Sequence, residues 1–345
     1  LERIACGLAV RQADKVLETA LREAFGDDYN GAVHHPLEPY TARQPSLGGL
    51  VGAMRHRRRY SATTTDIPYG PGGRCHLLDV WRRPDLPSGR RAPVLIQVPG
   101  GGWSVNEKRG QAYPLMSRMV ELGWICVSIN YSRSPRNAWP AHIIDVKRAI
   151  AWVRANIAEY GGDPDFIAIT GGSAGGHLAS LAALTAGDER LQPGFEEADT
   201  AVQAAAPHYG VYDLTNVDNM HGLMMPLLEH VVMQTRFSDN PQLFRDASPM
   251  FRVHRDAPPF FVLHGDNDAV VPAKQALAFC TALRDVGAGT VAHAAIPNAH
   301  HAFDTIATLR CQLAAEAVAA FLGIAYGRHA VARNRSKRLA VSSAS

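Results

Sequence analysis

Cysteine is scarce in this chain, and what there is falls in no functional pattern. Cys6, Cys75, Cys126, Cys280 and Cys311 form no C-x-x-C pair and no metal-ligand spacing. An odd, scattered set argues against a disulfide framework and suits a reducing compartment or buried thiols. Long apolar runs are also missing, and no stretch approaches the ~18 residues that cross a bilayer. Nor is there a large charge of one sign. A formal net charge of +3 over 345 residues implies no wholesale nucleic-acid partner. The basic residues cluster locally, in Arg55-His56-Arg57-Arg58-Arg59 and in Arg333, Arg335, Lys337 and Arg338. They read as a solvated turn and a disordered tail, with attraction to a membrane surface as the alternative. No signal peptide opens the chain, but Leu1-Glu2-Arg3-Ile4 reads like the middle of a helix, as in a fragment. The expected location is cytoplasmic or membrane-peripheral, and oligomeric state leaves no trace in the sequence.

What is present is ordinary globular composition, 46% hydrophobic and 19% charged, in a chain long enough for one large α/β domain with insertions. Residues 1–26 have a helical apolar face (Ala13, Leu17, Ala20, Leu21, Ala24, Phe25), and 27–60 read as an irregular connection. Strands and helices then alternate. Thr63–Ile67 and His76–Trp81 read as opening strands, and Pro93–Val98 as a buried strand closed by Pro99-Gly100-Gly101-Gly102. A helix (111–122), a strand (Trp124–Asn130) and a helix (143–160) lead to the strand Phe166–Thr170 and a small-residue helix, Gly175–Ala186. Further strands at Ala201–Ala206, Phe260–Leu263 and Val291–Ile296 precede a closing helix over 304–322. The alternation predicts a doubly wound, mostly parallel sheet covered on both faces. The catalytic domain is placed at 61–326, with a lid insertion at about 213–258, and 327–345 as a disordered tail.

Gly171-Gly172-Ser173-Ala174-Gly175 matches G-x-S-x-G between a strand and a helix. A sharp strand-to-helix turn with little side-chain bulk beside it exposes a serine hydroxyl above the sheet. Its glycines do not space as a dinucleotide loop, and no Walker Gly-Lys-Ser/Thr is present. Beyond the strand 260–263 comes His264-Gly265-Asp266-Asn267-Asp268, which offers Asp268 as an acid, with Asp266 as competitor. Asn298-Ala299-His300-His301 follows the last strand and supplies His301 as the base. The order Ser, Asp, His is that of an α/β-hydrolase triad. Gly100 and Gly101, with the amide of Ala174, are the candidate oxyanion donors. The adjacent histidines have no Asp, Glu or Cys at metal-ligand spacing, and neither metal nor cofactor is called for.

With these pieces, the chain resembles the hormone-sensitive-lipase-like and feruloyl-esterase-like carboxylesterases of the α/β-hydrolase fold, including the bacterial Lip-type enzymes. The likeness spans roughly residues 63–322. Beside the triad it rests on Asn130-Tyr131-Ser132-Arg133-Ser134-Pro135, Trp139-Pro140-Ala141 and Asp145, and on Gly161-Gly162-Asp163-Pro164. Gly210-Val211-Tyr212-Asp213-Leu214 and Ser248-Pro249 complete it. One position departs: Pro99 stands where the family's glycine loop opens with His. The resemblance implies a serine carboxylesterase acting on small-molecule esters. An amide hydrolase, such as an arylformamidase or peptidase, and a non-catalytic binding protein are the rival readings. Met220, Leu223, Met224, Met225, Leu227, Leu228, Val231, Val232 and Met233 would form either an adaptable acyl pocket or ordinary helix packing. The N-terminal helix is a candidate second piece of lid.

Overall fold

A computed structural model describes residues 2–37, 40–43, 59–61, 64–86, 89, 91–105, 107–216, 224–305 and 308–342. Its centre is an eight-stranded sheet in the order β1-β2-β4-β3-β5-β6-β7-β8. The strands are β1 (Ile67–Pro68), β2 (Leu77–Trp81), β3 (Ala92–Val98), β4 (Ile125–Ile129), β5 (Gly162–Gly172), β6 (Ala204–His208), β7 (Phe260–Gly265) and β8 (Val291–Ile296). Only β1 and β2 run antiparallel to their neighbours, and β3 to β8 form one parallel array. Strand order reverses around β3, β4 and β5, so the carboxyl ends of β3 and β5 lie side by side, with Gln97 opposite Thr170 and Val98 opposite Gly171. Open parallel sheets bind ligands at such an edge.

The two faces of the sheet carry two cores, as the period-two alternation of strands requires. In β3, Val94, Ile96 and Val98 belong to one cluster and Leu95 to the other. The first cluster takes in α3 (Ala141–Asn156), α4 (Ala174–Leu184) and α7 (Lys274–Asp285) through Ile143, Ile150, Leu178, Leu181, Phe279 and Leu283. The second takes in α1 (Glu2–Phe25), α2 (Tyr113–Glu121) and α8 (Leu309–Ser342) through Leu17, Leu21, Met116, Met119, Val318 and Phe321. Parallel strands buried on both sides read as unbroken apolar runs, and every residue of β3 is buried. The insertion between β6 and β7 carries α5 (Met224–Leu227), a π-turn (Leu228–Val232) and α6 (Pro241–Ala247). Asn240 caps α6 by accepting from the Leu243 amide at 3.2 Å.

Several sequence expectations are corrected. The closing helix begins at Leu309 and continues to Ser342, so residues 328–342 are helical where a disordered tail was expected. Contacts, not propensity alone, carry it onward: Tyr326 and His329 lie 5.2 and 5.3 Å from the Phe166 ring. Arg333 reaches Asp163 at 2.8 Å, and Arg91 holds the other oxygen of that buried carboxylate at 2.7 Å. The same helix, although interrupted by polar residues, is by length and composition apolar enough to cross a membrane; 72% of its most apolar stretch is buried inside the protein. A core helix apolar on most of its surface has this composition. The helix α1 packs on the α8 side of the sheet, and among its described side chains none lines the active-site cavity described below. Thr63 and the basic run at Arg55–Arg58 lie outside the described residues, and α7 was not anticipated at all.

Removing the Arg333 guanidinium strips one partner from a carboxylate that is 1% exposed. Arg333→Ala should lower the unfolding free energy by about 1–3 kcal/mol, read as a lower urea midpoint. An unchanged midpoint would show that the helix end contributes nothing there.

Candidate active site

Strand β5 ends at Gly172, Ser173 turns with φ 57° and ψ −122°, and α4 begins at Ala174. A non-glycine residue in that region is strained and has to be held by its surroundings. The hold comes from tight backbone packing. A Cβ on Gly175 would lie 2.1 Å from the Val98 carbonyl oxygen and 2.9 Å from the carbonyl of Pro99. Only glycine lets α4 sit that close to the end of β3. The Ser173 amide donates to the His208 carbonyl at 3.0 Å, fixing the turn to β6 as well.

His301 stands in the loop after β8, and its imidazole faces the serine. Its Nδ1–H donates to Asp268 Oδ2 at 2.7 Å, and the Ser173 hydroxyl donates to its Nε2 at 2.9 Å. The Asp268 side chain is fully buried; its Oδ1 accepts from the Val270 and Val271 amides at 2.8 and 2.9 Å. His264 Nε2 lies 3.2 Å from Asp268 Oδ2 while also facing the Val271 carbonyl at 2.9 Å. Burial by itself would raise the Asp268 pKa, but the hydrogen bonds from His264, His301 and the Val271 amide outweigh it and hold the carboxyl well below its usual range. Asp266 does other work, accepting from the Asn298 amide at 2.6 Å in an exposed loop. The structure thus brings Ser173, His301 and Asp268 into one hydrogen-bonded chain and leaves Asp266 outside it.

The glycine loop calls for a correction. The Gly100 amide donates to Gln111 Oε1 at 2.7 Å, so its one N–H is committed to that side chain. Gly101 (φ 94°) and Gly102 (φ 58°) make the turn and line the cavity, and their amides have no partner among the described residues. The available donors are therefore Gly101, Gly102 and Ala174. Pro99 does not spoil the loop. Its carbonyl accepts from the Tyr131 hydroxyl at 2.9 Å, while Gln111 holds the next residue. Trp103, also at positive φ, donates from Nε1 to His177 Nδ1 at 3.1 Å, and His177 donates from Nε2 to the Ala247 carbonyl at 2.7 Å. Burial lowers the His177 pKa to about 4, so the ring is neutral and serves both bonds. Gln111, Gly102, His264 and His177 escaped the sequence reading. Gly102 stood in the quoted run, and His264 stands four residues before Asp268. Nothing in the sequence singles out Gln111.

A cavity of about 280 Å³ opens over Ser173, lined also by His301, Gln111, Trp103 and, on its apolar wall, Val211, Met224, Leu227, Val270 and Ala302. The methionine-rich stretch divides between two tasks. Met224 and Leu227 face the cavity, whereas Leu228, Val232 and Met233 are buried in the core. Met220 and Leu223 lie outside the described residues.

Fold and site together define an α/β-hydrolase with an activated serine. The BD-FAE family model matches residues 78–283. Esterase LipQ of Mycobacterium tuberculosis is 64% identical over 343 residues, covering 99% of this chain and 81% of that protein. The probable carboxylic ester hydrolase LipM of the same organism is 55% identical, covering 92% of this chain and 74% of its own. Among solved structures, propionate-bound Est2, an esterase of Thermogutta terrifontis, is 25% identical with a TM-score of 0.58, covering 69% of this chain and 84% of that one. The chain belongs to the BD-FAE family and is a serine carboxylesterase.

Two outcomes are expected. Gln111→Leu frees the Gly100 amide and loosens the loop, so kcat should fall about 10-fold or more, toward the ~10²–10³ seen when an oxyanion donor is lost; unchanged steady-state kinetics would contradict the anchoring role. Asp268 titrates lower in the folded than in the unfolded chain, where its pKa is about 3.9. Its stabilisation is complete above that value and is lost as pH falls through the folded one. The urea stability advantage of wild type over Asp268→Asn should therefore shrink from about pH 6 to about pH 3, and a constant difference would refute it.

Proposed function

We propose that this serine carboxylesterase cleaves short- to medium-chain carboxylic esters through an acyl-enzyme on Ser173. The carrying observation is the unbroken bonding from Ser173 Oγ through His301 to buried Asp268, beneath a small apolar cavity with unpartnered loop amides. His301 Nε2 takes the hydroxyl proton as Oγ forms a bond to the ester carbonyl carbon. The amides of Gly101, Gly102 and Ala174 take up the charge on the carbonyl oxygen. When the intermediate collapses, the bond to the alcohol oxygen breaks and His301 returns its proton to the departing alcohol. Water, deprotonated by His301, then attacks the acyl carbon; Ser173 regains a proton and the carboxylic acid leaves. Asp268 stays ionised throughout, fixing the tautomer and stabilising the imidazolium.

Cavity size and lining support the acyl range. A volume of about 280 Å³ lies just below the ~300–1,000 Å³ of small-molecule sites. Met224 and Leu227 can rearrange around chains of different length. The esterase names of its relatives favour an ester over an amide bond.

The test compares wild type with Ser173→Ala on p-nitrophenyl esters from acetyl to palmitoyl, beside fluorophosphonate labelling. Wild type should label and prefer butyryl to hexanoyl chains, and the variant should lose at least ~10³-fold of the rate and all labelling. Near-wild-type turnover by the variant would remove Ser173 from the mechanism, and a preference for long chains would overturn the acyl range.

A further inference from the structure

The triad leaves a second buried carboxylate beside it unused. Asp304 lies three residues beyond His301 and is 8% exposed. Its Oδ2 accepts from His208 Nδ1–H at 2.6 Å, and its Oδ1 accepts from the Tyr209 hydroxyl. Both partners sit at the carboxyl end of β6, where the His208 carbonyl also receives the Ser173 amide at 3.0 Å. The Tyr209 ring packs against the His301 imidazole, with centroids 4.9 Å apart and planes at 64°. Phe303 closes the group, 6.0 Å from the His208 ring and 5.4 Å from that of Tyr209. One carboxylate therefore ties the loop carrying the base to the strand end that holds the nucleophile.

A buried anion is costly unless its hydrogen bonds are filled, so a site that retains one calls for an account of it. Burial pushes the Asp304 carboxyl upward, but the bonds from His208 and Tyr209 outweigh this and leave it below its ordinary range. Tyr209 is driven well above the usual phenol value, chiefly by burial and then by Asp304, and stays a neutral donor. His208 Nε2 is buried with no partner among the described residues. The cluster thus keeps the negative charge of its carboxylate.

We propose that Asp304 is a positioning residue for His301: through Tyr209 and His208 it holds the imidazole against Ser173. The inference rests on the acyl-enzyme reading. Other groups facing the imidazole are Asp268 on Nδ1 and Ser173 on Nε2. Around Asp304 itself are His208, Tyr209, Thr305 and Cys311, whose thiol donates to the Asp304 carbonyl at 3.3 Å.

The experiment measures kcat and KM for p-nitrophenyl butyrate in wild type, Asp304→Asn, Asp304→Glu and Tyr209→Phe. Active fractions are titrated with a fluorophosphonate. Loosening the clamp misplaces the imidazole without touching the cavity, so kcat per active site in Asp304→Asn should drop about 10-fold at constant KM. Asp304→Glu should restore most of it. Tyr209→Phe keeps the ring and loses the tether; kcat should fall several-fold at constant KM, and this variant decides the matter if Asp304→Asn does not fold. Wild-type kcat in folded Asp304→Asn, a loss explained wholly by a smaller active fraction, or full kcat in Tyr209→Phe overturns the proposal. Ser173→Ala run alongside separates the readings: if it is inactive, such a result removes only the role of Asp304, whereas its activity would remove the acyl-enzyme itself.

Discussion

Where Gly175 meets the carbonyls of Val98 and Pro99, backbone touches backbone with no room for a methyl group. That contact sets the distance between the start of α4 and the end of β3. It places the strained Ser173 beside the turn at Gly101 and Gly102, and the alignment of nucleophile with amide donors depends on it. The strain at Ser173 is met by a closed set of bonds, from its own amide to His208 and from its hydroxyl to His301. Sheet topology does the rest, since adjacent parallel strands deliver their loops to a single edge.

The environment gives each acidic side chain near that edge a separate task. The Asp268 side chain has no exposed surface and is saturated by two amides and two imidazoles, which hold it ionised. Asp266, two residues earlier, meets solvent and ties one loop to another. Asp304 is buried against a phenol and an imidazole on the other side of the base. Similar carboxyl groups thus act as orienting acid, loop tie and buried clamp according to what surrounds them.

Much of this was legible in the sequence because it is local or periodic. Apolar runs marked β3, β5 and β7, and the order of Ser173, Asp268 and His301 marked the triad. What escaped depends on contacts between distant segments. The choice of Gly102 over Gly100 as donor is made by Gln111, whose amide oxygen occupies the Gly100 N–H. The helical continuation past Gly327 is held by Asp163 and Phe166, more than 150 residues away in the chain. Composition alone read that stretch as a basic tail. Trp103 and His177, 74 positions apart, give no sign in the sequence that they are bonded.

That Trp103–His177–Ala247 relay ties the oxyanion turn to the last residue of α6, in the insertion that also supplies Met224 and Leu227 to the cavity wall. The wall and the catalytic amides therefore belong to one mechanical unit. Reshaping the cavity by shifting this insertion also moves the turn that carries the amide donors. Substrate range and transition-state stabilisation are coupled traits in this scaffold, and a lineage adapting to bulkier esters must change both together.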